Sequence, residues 1–242
     1  MTGPEVMGTV ELARHGDVAV LTLRREAKLN ALSTQLESRL LDAVRSDAVK
    51  GSRAVVITGG DKVFSAGADT GELREMTPEA IAEYYRSSGA VYETVAALPQ
   101  PTVAAIAGYC LGGGFELALA ADLRVADETA VFGLPEVGLG ILPSSGGITR
   151  LVRAVGPART RDLVLRGRRM STVEAHSWGL CTETTAAGDH LTTALTIAAE
   201  LAGQPPMAVA VAKQVITAAT DAPRETALLL EQLAYATLNR IG

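Results

Sequence analysis

The chain has 242 residues, 48% hydrophobic and 20% charged, a composition that excludes a disordered polymer. Its 22 basic and 27 acidic residues leave a net charge of −5, which argues against a nucleic-acid surface. Cys110 and Cys181 are the only cysteines, so a disulfide framework and a cysteine-based zinc cluster are excluded. Glu5, Glu11, Arg14, Asp17 and Arg24 interrupt any signal-peptide core. No uncharged apolar run reaches the ~18 residues of a membrane span. A cytoplasmic globular protein with no membrane partner is expected.

Val10–Ala13 and Val18–Leu23 alternate on either side of His15-Gly16-Asp17 and predict a hairpin. Ser33 or Thr34 opens a helix, with Thr34-x-x-Glu37 as a capping box and Leu36, Leu40 and Val44 as its apolar face. Ala54–Thr58 is a buried strand ending at Gly59-Gly60. Thr77-Pro78-Glu79 starts a helix that Pro99 and Pro101 stop. Val103–Ile106 and Leu123–Val125 are further strands. Strand, glycine-containing loop and helix recur, which predicts an α/β chain with buried, mostly parallel strands. From Asp189 the pattern changes to three helical stretches, Leu191–Ala202, Pro206–Thr220 and Arg224–Arg240. The expected division is a core over residues 1–188 and a helical part over 189–242.

Two gaps in the charge pattern carry the most information. Between Thr94 and Ala121 the one charged residue is Glu116, in Gly112-Gly113-Gly114-Phe115-Glu116. Between Thr129 and Thr149 it is Glu136, in Phe132-Gly133-Leu134-Pro135-Glu136. Either glutamate alone reads as readily as a turn or helix surface. The two together point to buried carboxylates, which cost several kcal/mol unless paired or protonated. Two carboxylates in one apolar pocket can have their proton affinities pushed apart, giving an acid and a base. A helix starting near Gly113 would leave N–H groups free to hold an anion. Phe64-Ser65-Ala66-Gly67-Ala68-Asp69 is a second loop able to offer a backbone N–H. No Gly-Lys-Ser/Thr follows the glycines, so a phosphate loop is excluded. Ser65 lacks the Gly-x-Ser-x-Gly setting of a hydrolase, and His15, His176 and His190 lack metal-ligand spacing.

In chain order, Lys28-Leu29-Asn30-Ala31-Leu32, Val55-Val56-Ile57-Thr58-Gly59, Phe64–Asp69, Pro101–Leu119 and Phe132–Leu151 resemble the enoyl-CoA hydratase/isomerase (crotonase) family. The resemblance spans essentially the whole chain, and its specificity lies in five segments standing in family order. It implies a crotonase-like spiral of repeated ββα units, followed by helices that assemble trimers, often paired into hexamers. It implies an acyl-CoA thioester substrate whose carbonyl oxygen sits between the backbone N–H groups of Ala68 and Gly113. It assigns water and the α-proton to Glu116 and Glu136. Ala66 falls at a backbone contact to the adenine end of CoA, and Lys28 at a partner for CoA phosphate. No metal or redox cofactor is implied, because the thioester itself acidifies the α-carbon.

The expected reaction is hydration of a trans-2-enoyl-CoA to a 3-hydroxyacyl-CoA, of the fatty-acid β-oxidation type. The alternatives are a Δ3-Δ2-enoyl-CoA isomerase, which needs one carboxylate, and a non-catalytic acyl-CoA-binding protein, which could lose both. Decarboxylation, thioester hydrolysis and dehalogenation also occur in the family. Three departures from its pattern stand out. Ser144 replaces a common glycine, though a backbone role survives this. Leu134 replaces a glutamine found in some hydratases. The chain ends at Arg240-Ile241-Gly242, where members continue with a helix and a basic, Phe-containing end over CoA, so a more open CoA site is expected.

Overall fold

Alternating side chains in the second strand, Val18–Arg24, feed the two faces on which the core is built. The structure, a computed structural model, describes residues 8–240, and of residues 85–89 the backbone only. The expectation at the C-terminal end falls partly on Ile241 and Gly242, outside the described residues. β1 (Thr9–His15) and β2 (Val18–Arg24) form the expected hairpin, with His15 opposite Val18. β2 lies parallel to β3 (Ala54–Thr58), β3 to β4 (Thr102–Ile106), β4 to β6 (Leu123–Asp127) and β6 to β9 (Glu183–Thr185). Among the described residues these make a six-stranded sheet in the order β1-β2-β3-β4-β6-β9. Every residue of β3 and β4 is buried, which explains why their sequences run apolar without alternation.

The helices in chain order are α1 (Thr34–Arg45), α2 (Asp47–Lys50), α3 (Thr70–Glu75), α4 (Pro78–Ala96) and α5 (Gly113–Ala120). They continue with α6 (Gly147–Leu165), α7 (Thr172–Ser177), α8 (His190–Ala202), α9 (Pro206–Ala219) and α10 (Arg224–Leu238). One face of the sheet presents Leu21, Leu23, Val55, Ile57 and Ile106 to Leu36, Leu40 and Val44 of α1. The other presents Val18, Val20, Ala54, Val56, Val103 and Ala105 to Ala194, Ala198 and Ala202 of α8. Alanine on both sides of this second interface lets α8 approach the strands closely.

A smaller sheet holds β5 (Tyr109–Leu111), β7 (Val131–Gly133) and β8 (Met170–Ser171). Ser65 extends it by a parallel bridge to Cys110. Three of the principal strands thus lead to a short second-layer segment and then to a helix. The turns are β4, β5, α5; then β6, β7, α6; and, in reduced form, β3, Ser65, α3. This is the expected ββα spiral. The strands of three residues or fewer carry too little pattern to stand out in the sequence.

Two details differ from expectation. Ser33, not Thr34, caps α1: its Oγ accepts from the Leu36 N–H at 3.2 Å. Glu37 therefore lies one position past the capping-box site and turns inward, 3% exposed. Thr34 instead bonds the Glu72 carboxylate through its N–H and its hydroxyl. The second difference concerns α8, whose Leu191 and Leu195 already pack against the sheet core. Apolar surface without cover lies on α9 and α10, neither of which has a buried residue. Among the described residues no single helix is long and apolar enough to cross a membrane. The bent pair α8 and α9 together reaches that composition, with α8 packed on the sheet.

Asn30 fastens the loops that the site is built on. It is fully buried and left-handed (φ 50°), a conformation that asparagine tolerates better than most residues. Its Oδ1 accepts from the Arg25 N–H at 2.7 Å, and its Nδ2 donates to the carbonyls of Gly59 and Val63, each at 2.9 Å. Asn30→Ala strands three buried backbone groups, so urea denaturation should show a loss of about 2–4 kcal/mol, from the ~1–3 kcal/mol cost of a buried unpaired group. A loss below about 1 kcal/mol would show that these loops hold without it.

Candidate active site

The loop of residues 64–69 and the turn entering α5 touch backbone to backbone. Gly67 has φ +96°, and a Cβ there would lie 2.8 Å from the Leu111 carbonyl, so only glycine permits the approach. On one side Leu32 takes up this loop: its N–H donates to the Gly67 carbonyl and its carbonyl accepts from the Asp69 N–H. In such a parallel bridge the N–H of the intervening Ala68 faces the opposite way. Arg25 holds the loop from behind through an ion pair to Asp69 at 2.7 Å.

Gly113 is the first residue of α5, where the N–H has no partner within the helix. A Cβ on Gly113 would sit 3.6 Å from Ala68 N, and one on Gly67 would sit 3.3 Å from Gly113 N. The backbone nitrogens of Ala68 and Gly113, both singled out in the sequence, therefore lie near each other where the two loops meet.

Both isolated carboxylates come to the same place. Glu116 lies in the first turn of α5 and is 4% exposed. Its Oε1 accepts from the N–H groups of Ser145 and Gly147, each at 2.8 Å. Gly147 begins α6, so Glu116 sits at the positive end of a helix dipole. A Cβ on Gly147 would lie 2.7 Å from Glu116 Cγ, which excludes any other residue there. Burial pushes the Glu116 carboxyl above its ordinary value, against the Gly147 and Ser145 N–H groups and the Arg150 charge. Arg150 also donates to the Ser145 carbonyl at 2.8 Å and so fixes the segment that holds Glu116.

Glu136 opens the 3-10 turn Glu136–Leu139 and is 9% exposed. Its Oε1 lies 3.0 Å from where a Cβ on Gly112 would be, next to Gly113, and its Oε2 has no hydrogen-bond partner. Burial raises its pKa to about 7, with the charge of Glu116 adding to the effect. One carboxylate is thus held by two donors and the other nearly bare, and their proton affinities differ for that reason.

The remaining residues singled out in the sequence lie on the rim. Ala66 donates its N–H to the Leu29 carbonyl at 2.9 Å, which lays the Ala66 loop beside the Lys28 turn. A cavity of about 520 Å³ opens there, lined by Leu29, Lys62, Val63 and Tyr109 among others. A second cavity, about 470 Å³, is bounded by Leu73 and Ile81 on one side and Leu139, Ile141, Leu142 and Ser144 on the other. It joins the helix after Ala68 to the turn after Glu136. Leu134 is buried in the core. Sequence reasoning missed Glu37, Tyr92 and Lys62. Glu37 was hidden by its resemblance to a capping residue, and Lys62 was one charged residue among many.

Comparison with known proteins identifies the family. A family profile described as enoyl-CoA hydratase/isomerase matches residues 13–240. The Mycobacterium bovis protein named "Probable enoyl-CoA hydratase echA8" is 38% identical over 227 residues, 93% of this chain and 87% of that one. The short-chain-enoyl-CoA hydratase of Clostridium acetobutylicum is 35% identical over 95% of this chain and 88% of its own. The crystal structure of enoyl-CoA hydratase from Bacillus anthracis superposes with a TM-score of 0.89 at 35% identity, covering 94% of this chain and 90% of that one. With its ββα spiral, its two facing glycine loops and its pair of buried glutamates, the chain belongs to the enoyl-CoA hydratase/isomerase family.

Proposed function

We propose that the protein hydrates trans-2-enoyl-CoA thioesters to 3-hydroxyacyl-CoA. The observation that carries this is the placement of two buried glutamates around Gly112, beside the paired N–H groups of Ala68 and Gly113. The names of the similar proteins support it.

In this reading the thioester oxygen accepts from Ala68 N–H and Gly113 N–H. Glu116 spends Oε1 on Ser145 and Gly147, so its other oxygen orients water and takes a proton from it. The water oxygen bonds to the β-carbon, and the alkene electrons pass into the thioester as an enolate held by the two N–H groups. Glu136 gives its proton to the α-carbon, and the enolate collapses to the product. One proton enters Glu116 and one leaves Glu136, so the pair returns to its starting state by exchange with solvent. No metal or redox cofactor takes part in the proposed chemistry. The apolar cavity between Leu73 and Leu142 suits the acyl chain, while Ala66 and Lys28 take the CoA end, with Lys62 near enough to assist.

We also infer a homotrimer, or a pair of trimers. Met207, Ile216, Leu229, Leu233 and Tyr235 on α9 and α10 are all more than half exposed, a patch that a second copy would cover. A cytoplasmic location is supported by the two free, buried thiols, Cys110 and Cys181.

Following loss of the conjugated thioester absorbance tests the reading, with crotonyl-CoA and longer homologues as substrates. Glu116→Gln and Glu136→Gln should each slow hydration by about 10²–10⁴-fold with acyl-CoA affinity nearly intact. Wild-type turnover in either variant would remove that residue from the mechanism. If Glu116→Gln spared hydration more than isomerisation, the isomerase would take its place.

Because hydration begins with the proton on Glu136, kcat/KM should fall as pH rises through about 7, where that carboxyl ionises. Hydration and dehydration use the same singly protonated pair, so kcat/KM should fall by the same factor in both directions. A kcat/KM for hydration that stayed level well above pH 7 would refute a protonated Glu136 as the acid.

Size-exclusion chromatography with light scattering should give three or six times the chain mass at micromolar concentration. A clean monomer would rule out the assembly.

A further inference from the structure

Glu37 is a buried carboxylate for which the proposed chemistry has no use. It projects from α1 toward α3, α4 and α5. Among the described side chains, the charged and titratable groups that face it are Tyr84 and Tyr92 on α4, Glu116 on α5 and Glu72 on α3. The Tyr92 hydroxyl lies 2.7 Å from Glu37 Oε1, and Tyr84 adds a hydrogen bond to the same carboxyl. Glu37 Oε2 is buried and has no partner. The same Tyr92 hydroxyl lies 3.0 Å from the position a Cβ would take on Gly113, a position itself 3.6 Å from Ala68 N. Tyr92 is 2% exposed, so its hydroxyl approaches the Gly113 backbone from within the core.

An ionised Glu37 here would leave one charged oxygen without a donor in an apolar interior, which is costly. It would also set a negative charge two short contacts from the place where enolate charge develops. The environment works against both. Burial raises the Glu37 pKa to about 7, and the charges of Glu116 and Glu72 push the same way, against the tyrosine hydrogen bonds. A neutral Glu37 with its proton on Oε1 donates to the Tyr92 oxygen, which frees the tyrosine O–H to turn elsewhere. An ionised Glu37 accepts from Tyr92 and holds that hydrogen to itself.

We propose that the Glu37–Tyr92 pair is a positioning element of the oxyanion hole, in which an uncharged Glu37 carboxyl holds the Tyr92 hydroxyl against Gly113 without opposing the enolate. The inference rests on the assignment of Ala68 and Gly113 as that hole. Neither residue of the pair touches substrate; each acts through Gly113 and through the local field.

The test uses acetoacetyl-CoA at saturation on the full-length protein, reading the ultraviolet absorbance of its enolate from pH 6 to 9. This requires no turnover. Wild type should raise the enolate-to-keto ratio above that of free acetoacetyl-CoA. Glu37→Gln cannot ionise and should raise it further, by about tenfold near pH 8, the scale of one nearby buried charge. Tyr92→Phe should lower it by about the same factor. Opposite signs in the two variants are what a purely structural pair cannot give. A Glu37→Gln titration superimposed on wild type overturns the proposal, and so does a fall in both variants. If Tyr92→Phe does not fold, Glu37→Gln decides alone. No change by wild type relative to free ligand would instead sink the oxyanion assignment, and this inference with it.

Discussion

The structure is organised around the cost of holding carboxylates in an apolar interior. Glu37, Glu116 and Glu136 are each at least nine-tenths buried, and each meets that cost differently. Glu116 recovers it from two backbone donors at a helix start. Glu37 has tyrosine hydroxyls. Glu136 recovers least and is therefore among those pushed furthest toward neutrality. Where the folded pKa stands above the unfolded value, the neutral form is the one favoured by folding. That contribution is complete below about 4.5 and is lost as pH rises through the folded value, about 7 for Glu37 and Glu136. The chain thus gives up stability near neutral pH to keep these carboxyls buried.

The spiral supplies the donors. Each turn ends a buried strand at a short second-layer strand and then starts a helix. Two of those helix starts, α5 and α6, converge on Glu116 and the Ala68 loop. A helix start offers unpaired N–H groups and a positive partial charge at no side-chain cost. Glycine at Gly67, Gly113 and Gly147 is what lets backbone replace side chain as the stabilising group. Arg25, Asn30 and Arg150 then fix the loops from outside through carbonyls and Asp69.

How much of this was legible depended on contrast. Glu116 and Glu136 stood out because their neighbours carry no charge, and the two-sided burial of β3 and β4 showed as unbroken apolar runs. Glu37 has Ser38 and Arg39 after it, and its position mimics a cap, so its inward turn depended on Ser33 taking that role by one residue. Tyr92 is one apolar position in a long helix, and only the approach of α5 gives its hydroxyl a meaning. The apolar residues of α8 and those of α9 look alike in sequence. One set meets the sheet and the other meets nothing in the chain, a difference that sequence periodicity does not encode.

The unequal holding of the three carboxyls also orders their roles. The proposed base has to be ionised before it can take a proton from water, and the two N–H donors to Glu116 oppose the rise that burial causes. The proposed acid must begin protonated and lie unencumbered, and Glu136 has an oxygen with no partner. The group proposed to stay uncharged beside the enolate gains from a setting that penalises its charge, and among the described side chains Glu37 faces tyrosines and other glutamates. Moving the two donors of Glu116 to Glu136 would shift the proton affinities of both while leaving the residue types in place. Function here is therefore written less in the identity of the glutamates than in how many backbone N–H groups each one can reach.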